Sequence, residues 1–263
     1  MPGQRNSTEG HALLLLGDSI VYGWGVAPPE SLAAQLERRL AGRRGSPWRV
    51  INAGVPGDTV LMGCLRYERD VAAHHPQVVL LSFGLNDAAL RRTRFDIERE
   101  RLWQARRWPW ARLIHIAERR LIKPMADRWK HRMQRQAEEW FDLAPTKHEK
   151  QPRVRPRLFV AGLLWLARQA RRDGAEVHFM TMVPVAKEAL STHQAKAYSL
   201  YDELIHHASR RTHAPLIDLA EAAATFDHAR MLAADGIHLT AAGYRWLAST
   251  VWTHLAEKSR SCL

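Results

Sequence analysis

The sequence predicts an α/β fold, a three-layer α/β/α sandwich around a central, mostly five-stranded parallel sheet. The first observation is that short apolar runs, bounded by Gly, Pro, Asn or Asp, alternate along the chain with amphipathic stretches of helix length. The second is that the first of these runs is apolar at every position, which is typical of a strand buried on both faces. Strands that alternate with helices in this way form parallel sheets covered by helices on both faces.

The individual elements follow from these two patterns. The predicted strands are Ala12–Leu16, Arg49–Asn52, Val78–Phe83, Val177–Val183 and Pro215–Leu219. The predicted helices of the main domain are Glu30–Leu40, Thr59–His74, Leu158–Arg172, His193–Arg211 and Ala241–Ala256. The pair Asp173-Gly174 ends one of these helices before the next strand, because glycine readily adopts the conformation that terminates a helix.

Composition excludes several classes of protein. The chain has 263 residues, 46% of them hydrophobic and 25% charged, which fits one globular domain with a sizeable core. The run Ala12–Leu16 is too short for the apolar region of a signal peptide, and no stretch approaches a membrane span. The two cysteines, Cys64 and Cys262, cannot form a disulfide framework or a zinc cluster by themselves. We therefore expect a cytoplasmic protein.

The net charge of +12 is concentrated in one segment. Residues 91–157 contain 20 Lys and Arg against 9 Asp and Glu, whereas the rest of the chain contains 19 against 18. Five of the ten tryptophans also lie in this segment. We predict a single domain, 1–263, interrupted by a basic, Trp-rich helical insertion at 91–157. Apolar residues spaced by three to four predict a helix over Leu121–Phe141, and a second helix is expected around Arg101–Arg119. The proline-containing stretch from Pro145 to Pro156 is expected to be a linker.

Three roles for the insertion remain open. It can be a solvated helical hairpin that packs on the core, or a lid whose apolar face lines a substrate pocket. It can also attach the protein to the periphery of a membrane, because Arg interleaved with Trp suits anionic lipid headgroups or another polyanion. Nucleic acid is a weaker candidate, since the sequence contains no recognised binding module.

Polar residues follow the predicted strands, and ligands bind at the carboxyl ends of parallel strands. Each of these blocks also has a purely structural interpretation as a turn or a helix cap; Asp58 or Thr59, for example, is suited to cap the helix that follows it. Their occurrence in order along the sheet instead indicates one shared site. The blocks are Gly17-Asp18-Ser19-Ile20, Asn52–Thr59 (NAGVPGDT), Gly84-Leu85-Asn86-Asp87 and Asp235-Gly236-Ile237-His238.

These four blocks resemble those of the SGNH-hydrolase (GDSL-type) family of esterases and lipases. The resemblance covers about residues 12–90 and 158–256 and does not extend to the insertion. It implies a flavodoxin-like sandwich. The GxSxG turn of the α/β-hydrolases is absent from the sequence, which disfavours that other serine-esterase fold.

The resemblance also implies roles for individual residues. Ser19 would be the nucleophile, His238 the base that activates it, and Asp235 the group that orients His238. The backbone N–H groups of Ser19 and Gly54 and the side-chain amide of Asn86 would form the oxyanion hole. Glycine at position 54 would keep the approach of the substrate carbonyl clear, and Asp87 would support the loop. No cofactor or metal is required.

The expected function is a serine hydrolase that cleaves a small-molecule carboxylic ester or thioester through an acyl-enzyme. Acyl transfer to an alcohol and O-deacetylation of a carbohydrate are alternatives that use the same site. A non-catalytic protein that binds a membrane or polyanion through the insertion is the alternative from another class. The remaining histidines, such as His178, are expected to be structural.

Overall fold

The computed structural model describes residues 11–41, 48–105 and 151–258. Within them, five parallel strands form one sheet in the order β2-β1-β3-β4-β5, which confirms the predicted architecture. The strands are β1 His11–Gly17, β2 Trp48–Gly54, β3 Val78–Ser82, β4 Glu176–Met180 and β5 Leu216–Ile217.

Ten α-helical segments are present in the described residues. They are α1 Ser19–Tyr22, α2 Leu32–Ala41, α3 Val60–Asp70, α4 Leu85–Ala88, α5 Arg94–Ala105, α6 Pro156–Arg172, α7 Thr192–Thr212, α8 Leu219–Ala222, α9 His228–Met231 and α10 Ala241–Lys258. No helix in these described ranges is both long and apolar enough to cross a membrane.

The sheet divides the core into two apolar clusters. Successive side chains of a strand point to opposite faces, so Leu14 and Leu16 of β1 enter one cluster while Leu13 and Leu15 enter the other. Buried residues of α3, α6 and α7 complete the first cluster, and those of α1, α2 and α10 complete the second. Every residue from Ala12 to Leu16 is at most 1% exposed, as expected for a strand covered on both faces.

Several boundaries differ from the prediction. Strand β4 ends at Met180 instead of Val183, although the N–H of Thr181 still donates to the carbonyl of Ile217 at 3.0 Å. The helix predicted over Thr59–His74 stops at Asp70, because Val71 adopts a non-helical conformation (φ −121°, ψ −63°), and a short 3₁₀ turn, Ala72–His74, follows. Strand β5 is shorter than predicted, with two residues.

Only the two flanks of the predicted insertion are described. Helix α5 begins at Arg94, and its Trp103 is 3% exposed in the first apolar cluster. The rest of the helix expected around Arg101–Arg119 and the helix predicted over Leu121–Phe141 lie outside the described residues. At the other flank, Val154 is 2% exposed, and the carboxyl-terminal part of the predicted linker is therefore packed into the domain.

Helix α1 packs directly against the carboxyl ends of β1 and β2. A Cβ atom on Gly54 would stand 2.2 Å from the backbone nitrogen of Tyr22, and one on Gly17 would stand 2.4 Å from the carbonyl oxygen of Ser82. Glycine at position 54 is thus required by backbone packing, a different reason from the substrate clearance expected from the sequence. This close approach sets the position of the turn that contains Ser19.

Replacing Gly54 by alanine should destabilise the fold. The added methyl group would meet backbone that cannot rotate away, so we expect a loss at the upper end of the about 1–3 kcal/mol that is typical of overpacking. Urea denaturation followed by circular dichroism would measure the loss. Gly25→Ala is the control, because a Cβ atom there meets nothing within 4 Å and the variant reports only the cost of the positive φ of 83°. A loss in Gly54→Ala no larger than that in the control would contradict the steric argument.

Candidate active site

Ser19 is the first residue of α1, directly beyond the carboxyl end of β1. Asp18 caps this helix, since its Oδ1 accepts a hydrogen bond of 3.0 Å from the Ile20 N–H. The helix ends after one turn at Gly23, which adopts the left-handed conformation with φ 92°. Ser19 itself is 8% exposed. Its own N–H, at the start of a helix, has no partner within that helix.

His238 and Asp235 lie in the loop between α9 and α10. Asp235 Oδ1 accepts the backbone N–H groups of Ile237 and His238, both at 2.9 Å. The loop is anchored to the domain where the N–H of Ala186 donates to the carbonyl of Gly236 at 2.8 Å. These bonds close a tight turn that brings the two side chains of the fourth block to the same side.

The structure brings Ser19, His238 and Asp235 into one hydrogen-bonded series. His238 Nε2 lies 3.0 Å from Ser19 Oγ, and His238 Nδ1 lies 2.5 Å from Asp235 Oδ2. The serine and the histidine are 219 positions apart along the chain. The geometry therefore has the order of groups, hydroxyl to imidazole to carboxylate, that activates a serine.

Asp235 is suited to remain ionised. Its partial burial raises its pKa, but the hydrogen bonds from the His238 side chain and from two backbone N–H groups outweigh burial and hold this pKa below the ordinary value of 3.8. An ionised Asp235 favours the tautomer of His238 with the proton on Nδ1. In that tautomer Nε2 carries the lone pair that faces Ser19.

Asn86, on the short helix α4 after β3, lies beside the serine turn. Its Nδ2 donates to Asp18 Oδ2 at 3.2 Å, and its Oδ1 accepts from Arg153 Nη1 at 3.4 Å. The amide group is thus held next to the residue that precedes Ser19. This position agrees with the expectation that the first and third blocks meet.

The N–H of Gly54 is already engaged. It donates to Asn52 Oδ1 at 2.9 Å, and Asn52 in turn donates to the carbonyl of Tyr22 at 3.2 Å. In this conformation that N–H is not available to a ligand, in contrast to what the family resemblance led us to expect. The reason is that the Asn52 side chain folds back on the end of β2, where its bond to Tyr22 of α1 holds it.

Gly57 lies in the same block and was not among the predicted site residues. It has a positive φ of 79°, and a Cβ atom placed on it would meet nothing within 4 Å. Its carbonyl accepts from Arg153 Nη1 at 2.9 Å, the same nitrogen that contacts Asn86. Gly57 therefore lies beside Asn86 with open space before it. The sequence feature that could have identified Gly57 is that it is the second glycine of the block NAGVPGDT.

Asp87 is fully buried and caps α3 from a distance. Its Oδ1 accepts the N–H of Val60 at 2.9 Å, whereas Thr59 makes no capping bond with its side chain and Asp58 pairs with Arg66 at 2.6 Å. Thr59 thus occupies the N-cap position, as one of the two residues expected there, but the capping bond comes from Asp87 and not from the side chain of Asp58 or Thr59. Burial raises the pKa of Asp87 to about 8, so this carboxyl is protonated at neutral pH. Its Oδ2 contacts no polar partner among the described residues.

Trp24 and His178 lie outside the four polar blocks, Trp24 beside the site and His178 in strand β4. Trp24 is half-buried, with its ring centroid 6.2 Å from that of His238, and forms a wall beside the imidazole. His178, predicted to be structural, is fully buried in β4 and lies 2.8 Å from Glu176 Oε1 and 3.2 Å from His254 Nε2.

Comparison with known proteins adds to this geometry. Residues 15–246 match the model of the GDSL-like lipase/acylhydrolase family. The chain is 37% identical over 75 residues to the esterase TesA of Pseudomonas aeruginosa; this match covers 28% of the chain and 37% of that esterase.

Two solved structures have a similar fold. The lipase/acylhydrolase from Enterococcus faecalis superposes with a TM-score of 0.64 at 19% identity, over 94% of this chain and 96% of that one. Axe2, an acetylxylan esterase from Geobacillus stearothermophilus, superposes with a TM-score of 0.60 at 21% identity, over 94% of each chain.

Replacing Asp87 by asparagine should reduce the pH dependence of stability. The folded chain retains a proton on Asp87 up to about pH 8, whereas the unfolded chain releases it near the ordinary pKa of 3.8. Stability therefore falls as the pH rises between these values, by up to about 1.4 kcal/mol per pH unit for one proton. Asp87→Asn removes this proton, so its free energy of unfolding should decline less from pH 5 to pH 8. Urea denaturation at several pH values tests this, and parallel curves for both proteins would refute it.

Proposed function

The chain belongs to the GDSL-like lipase/acylhydrolase family, and from this membership we propose that it is a serine hydrolase acting on a small-molecule carboxylic ester or thioester. The observation that carries the proposal is the hydrogen-bonded series from Ser19 through His238 to Asp235. A family match alone indicates the class of enzyme, whereas this geometry supports a particular set of reacting groups.

In the first step Ser19 Oγ attacks the acyl carbon of the substrate. Its proton passes to His238 Nε2, which lies at hydrogen-bonding distance. Asp235 stabilises the imidazolium that forms and keeps the ring in place. The carbonyl oxygen of the substrate becomes an oxyanion in the tetrahedral intermediate. Collapse of this intermediate breaks the bond to the alcohol or thiol, which takes the proton from His238 and leaves an acyl group on Ser19.

In the second step a water molecule attacks the acyl-enzyme. His238 removes a proton from this water and returns it to Ser19 Oγ, while the acyl group leaves as the carboxylic acid. An alcohol in place of water would give acyl transfer by the same steps, and an acetylated carbohydrate as substrate would give O-deacetylation. The nature of the acyl acceptor and of the leaving alcohol therefore distinguishes the three alternatives.

The oxyanion requires hydrogen-bond donors, each of which contributes about 10²–10³-fold in rate. Two candidates are the N–H of Ser19 and the side-chain amide of Asn86. For a third donor, the Gly54 N–H would first have to leave Asn52, whereas Gly57 already lies beside Asn86 and faces open space. We therefore prefer Gly57 to Gly54 as the third candidate.

The proposal is tested with p-nitrophenyl esters from acetyl to palmitoyl. The unmodified protein should hydrolyse at least one member of the series, and Ser19→Ala should lower kcat by at least about 10⁴-fold because no nucleophile remains. Circular dichroism should show an unchanged fold in Ser19→Ala. The same comparison identifies background hydrolysis, since any residual rate common to both proteins does not involve this serine.

The outcomes of the ester series separate the alternatives. An optimum at acetyl would favour a shallow site of the kind that suits O-deacetylation, and an optimum at long chains would favour a lipase. If a folded protein shows no Ser19-dependent turnover in water or with an added alcohol acceptor, hydrolysis and acyl transfer are both refuted.

A second candidate function is attachment to an anionic membrane surface through the insertion at 91–157, most of which lies outside the described residues. It is favoured by the excess of 20 basic over 9 acidic residues in that segment. Vesicles containing anionic lipid should bind the protein and release it at high salt. The variant Arg106→Gln/Arg107→Gln/Arg132→Gln should bind less, whereas Ser19→Ala should bind equally. Binding to neutral vesicles at the same level would contradict an electrostatic attachment.

A further inference from the structure

Arg153 lies outside all four polar blocks, in the segment that leads into α6. Its backbone N–H donates to the carbonyl of Ala89 at 3.0 Å, and the N–H of the next residue, Val154, donates to the carbonyl of Asp87 at 3.1 Å. The segment is thus fastened to the end of α4, the helix on which Asn86 lies. Arg153 is 9% exposed, so its guanidinium is largely removed from water.

The guanidinium of Arg153 connects three parts of the chain. Its Nη1 donates to the carbonyl of Gly57 at 2.9 Å and to Asn86 Oδ1 at 3.4 Å. Its other side forms an ion pair with Asp96 of α5, whose Oδ1 lies 3.0 Å away. The ion pair keeps the buried charge of Arg153 compensated and sets the orientation of the planar group.

These contacts determine which way the carboxamide of Asn86 faces. A guanidinium has donors and no acceptor, so it can bond only to the oxygen of an amide. On the other side Asp18 Oδ2 accepts from Asn86 Nδ2. A carboxamide turned by 180° would lose both bonds, since its NH₂ would face Arg153 and its oxygen would face Asp18.

We propose that Arg153 is a positioning residue that holds the side-chain amide of Asn86 so that the Nδ2 hydrogen not donated to Asp18 faces the oxyanion. The inference rests on the proposed function, in which Asn86 stabilises that negative charge. A rotated Asn86 would present its oxygen to the oxyanion and repel it. Arg153 therefore acts through Asn86 and does not itself contact the substrate.

Arg153 and Asp96 come from parts of the chain that are separated by most of the predicted insertion. Both residues lie on the flanks of the predicted insertion, one on each side, and Asp96 also accepts from the N–H and the hydroxyl of Thr93 at 2.9 Å. The Arg153–Asp96 ion pair thus helps to join the two flanks to each other, and the hydrogen bonds of Arg153 join them to the oxyanion side of the site. Residues outside the four family blocks take part in forming the site of this chain.

The test removes the two buried charges together. Arg153→Gln alone leaves Asp96 buried without its ionic partner, so the variant measured is Arg153→Gln/Asp96→Asn, and its reference is the unmodified protein, in which Asp96 orients Arg153. With an ester that the unmodified protein hydrolyses, kcat should fall about tenfold relative to the reference, while KM changes less than about twofold. Deletion of an oxyanion donor lowers kcat by roughly 10²–10³-fold. The loss of kcat expected here is smaller, because a misdirected Asn86 amide still samples the active orientation.

The same two substitutions are then made in an Asn86→Ala background and compared with Asn86→Ala alone. If Arg153 acts through Asn86, its replacement should have no further effect on kcat there. Arg155→Gln is the matched control, because Arg155, two positions further along the chain, pairs with Glu100 of α5 instead of Asn86. Its kcat should remain within about twofold of that of the unmodified protein. Arg153→Lys should retain part of the activity, since an ammonium group donates but cannot reach the same acceptors in one plane.

Four results would overturn the inference. An equal fall in kcat in both backgrounds would mean that Arg153 does not act through Asn86, and a change confined to KM would mean that it binds substrate. Unchanged kcat and KM in Arg153→Gln/Asp96→Asn would show that it has no role in the reaction, although the proposed function would stand. Absence of Ser19-dependent turnover in the unmodified protein would refute the proposed function and this inference together.

Discussion

The carboxylate of Asp18 joins the two turns on which the proposed chemistry depends. Its Oδ1 caps α1, which begins with Ser19, and its Oδ2 holds the amide of Asn86 on α4. Asp18 is buried, and burial raises its pKa to about 6, so its charge at neutral pH is maintained by the hydrogen bonds that it accepts. The helix cap and the position of Asn86 therefore share one group, and a change in either affects the other.

Around Asp18 the structure concentrates buried carboxyl groups beyond the carboxyl ends of β1, β2 and β3. Asp58 pairs with Arg66, which also donates to the carbonyl of Gly17, and Asp87 remains protonated. A protonated Asp87 avoids a further negative charge next to Asp18. Burying these groups costs stability, and their hydrogen bonds offset part of that cost only because the donors are aligned. The same aligned bonds hold the turns of the site in one arrangement.

The sequence by itself determined the class of fold and the groups at the site. Continuous apolar runs require burial on both faces, which a sheet covered by two layers of helices provides, and this argument depends on local pattern alone. The same is true of the turn containing Asp235 and His238. Because the two residues are three positions apart, the backbone N–H groups of Ile237 and His238 can both bond to the Asp235 carboxylate. The proposed nucleophile was identifiable because Ser19 closely follows a buried strand.

Tertiary structure alone decided which hydrogen-bond donors at the candidate site are free and which residues hold them in position. Asp87 caps a helix 27 positions away, and Arg153 reaches Asn86 and Gly57 across 67 and 96 positions. Gly54, by contrast, is bonded to a side chain two positions earlier, but whether that bond forms depends on how α1 packs against β2. Propensity and periodicity describe neighbours along the chain. Contacts between distant segments depend on the packing of the whole sheet, and the hydrogen-bonding state of a given N–H or amide follows from those contacts.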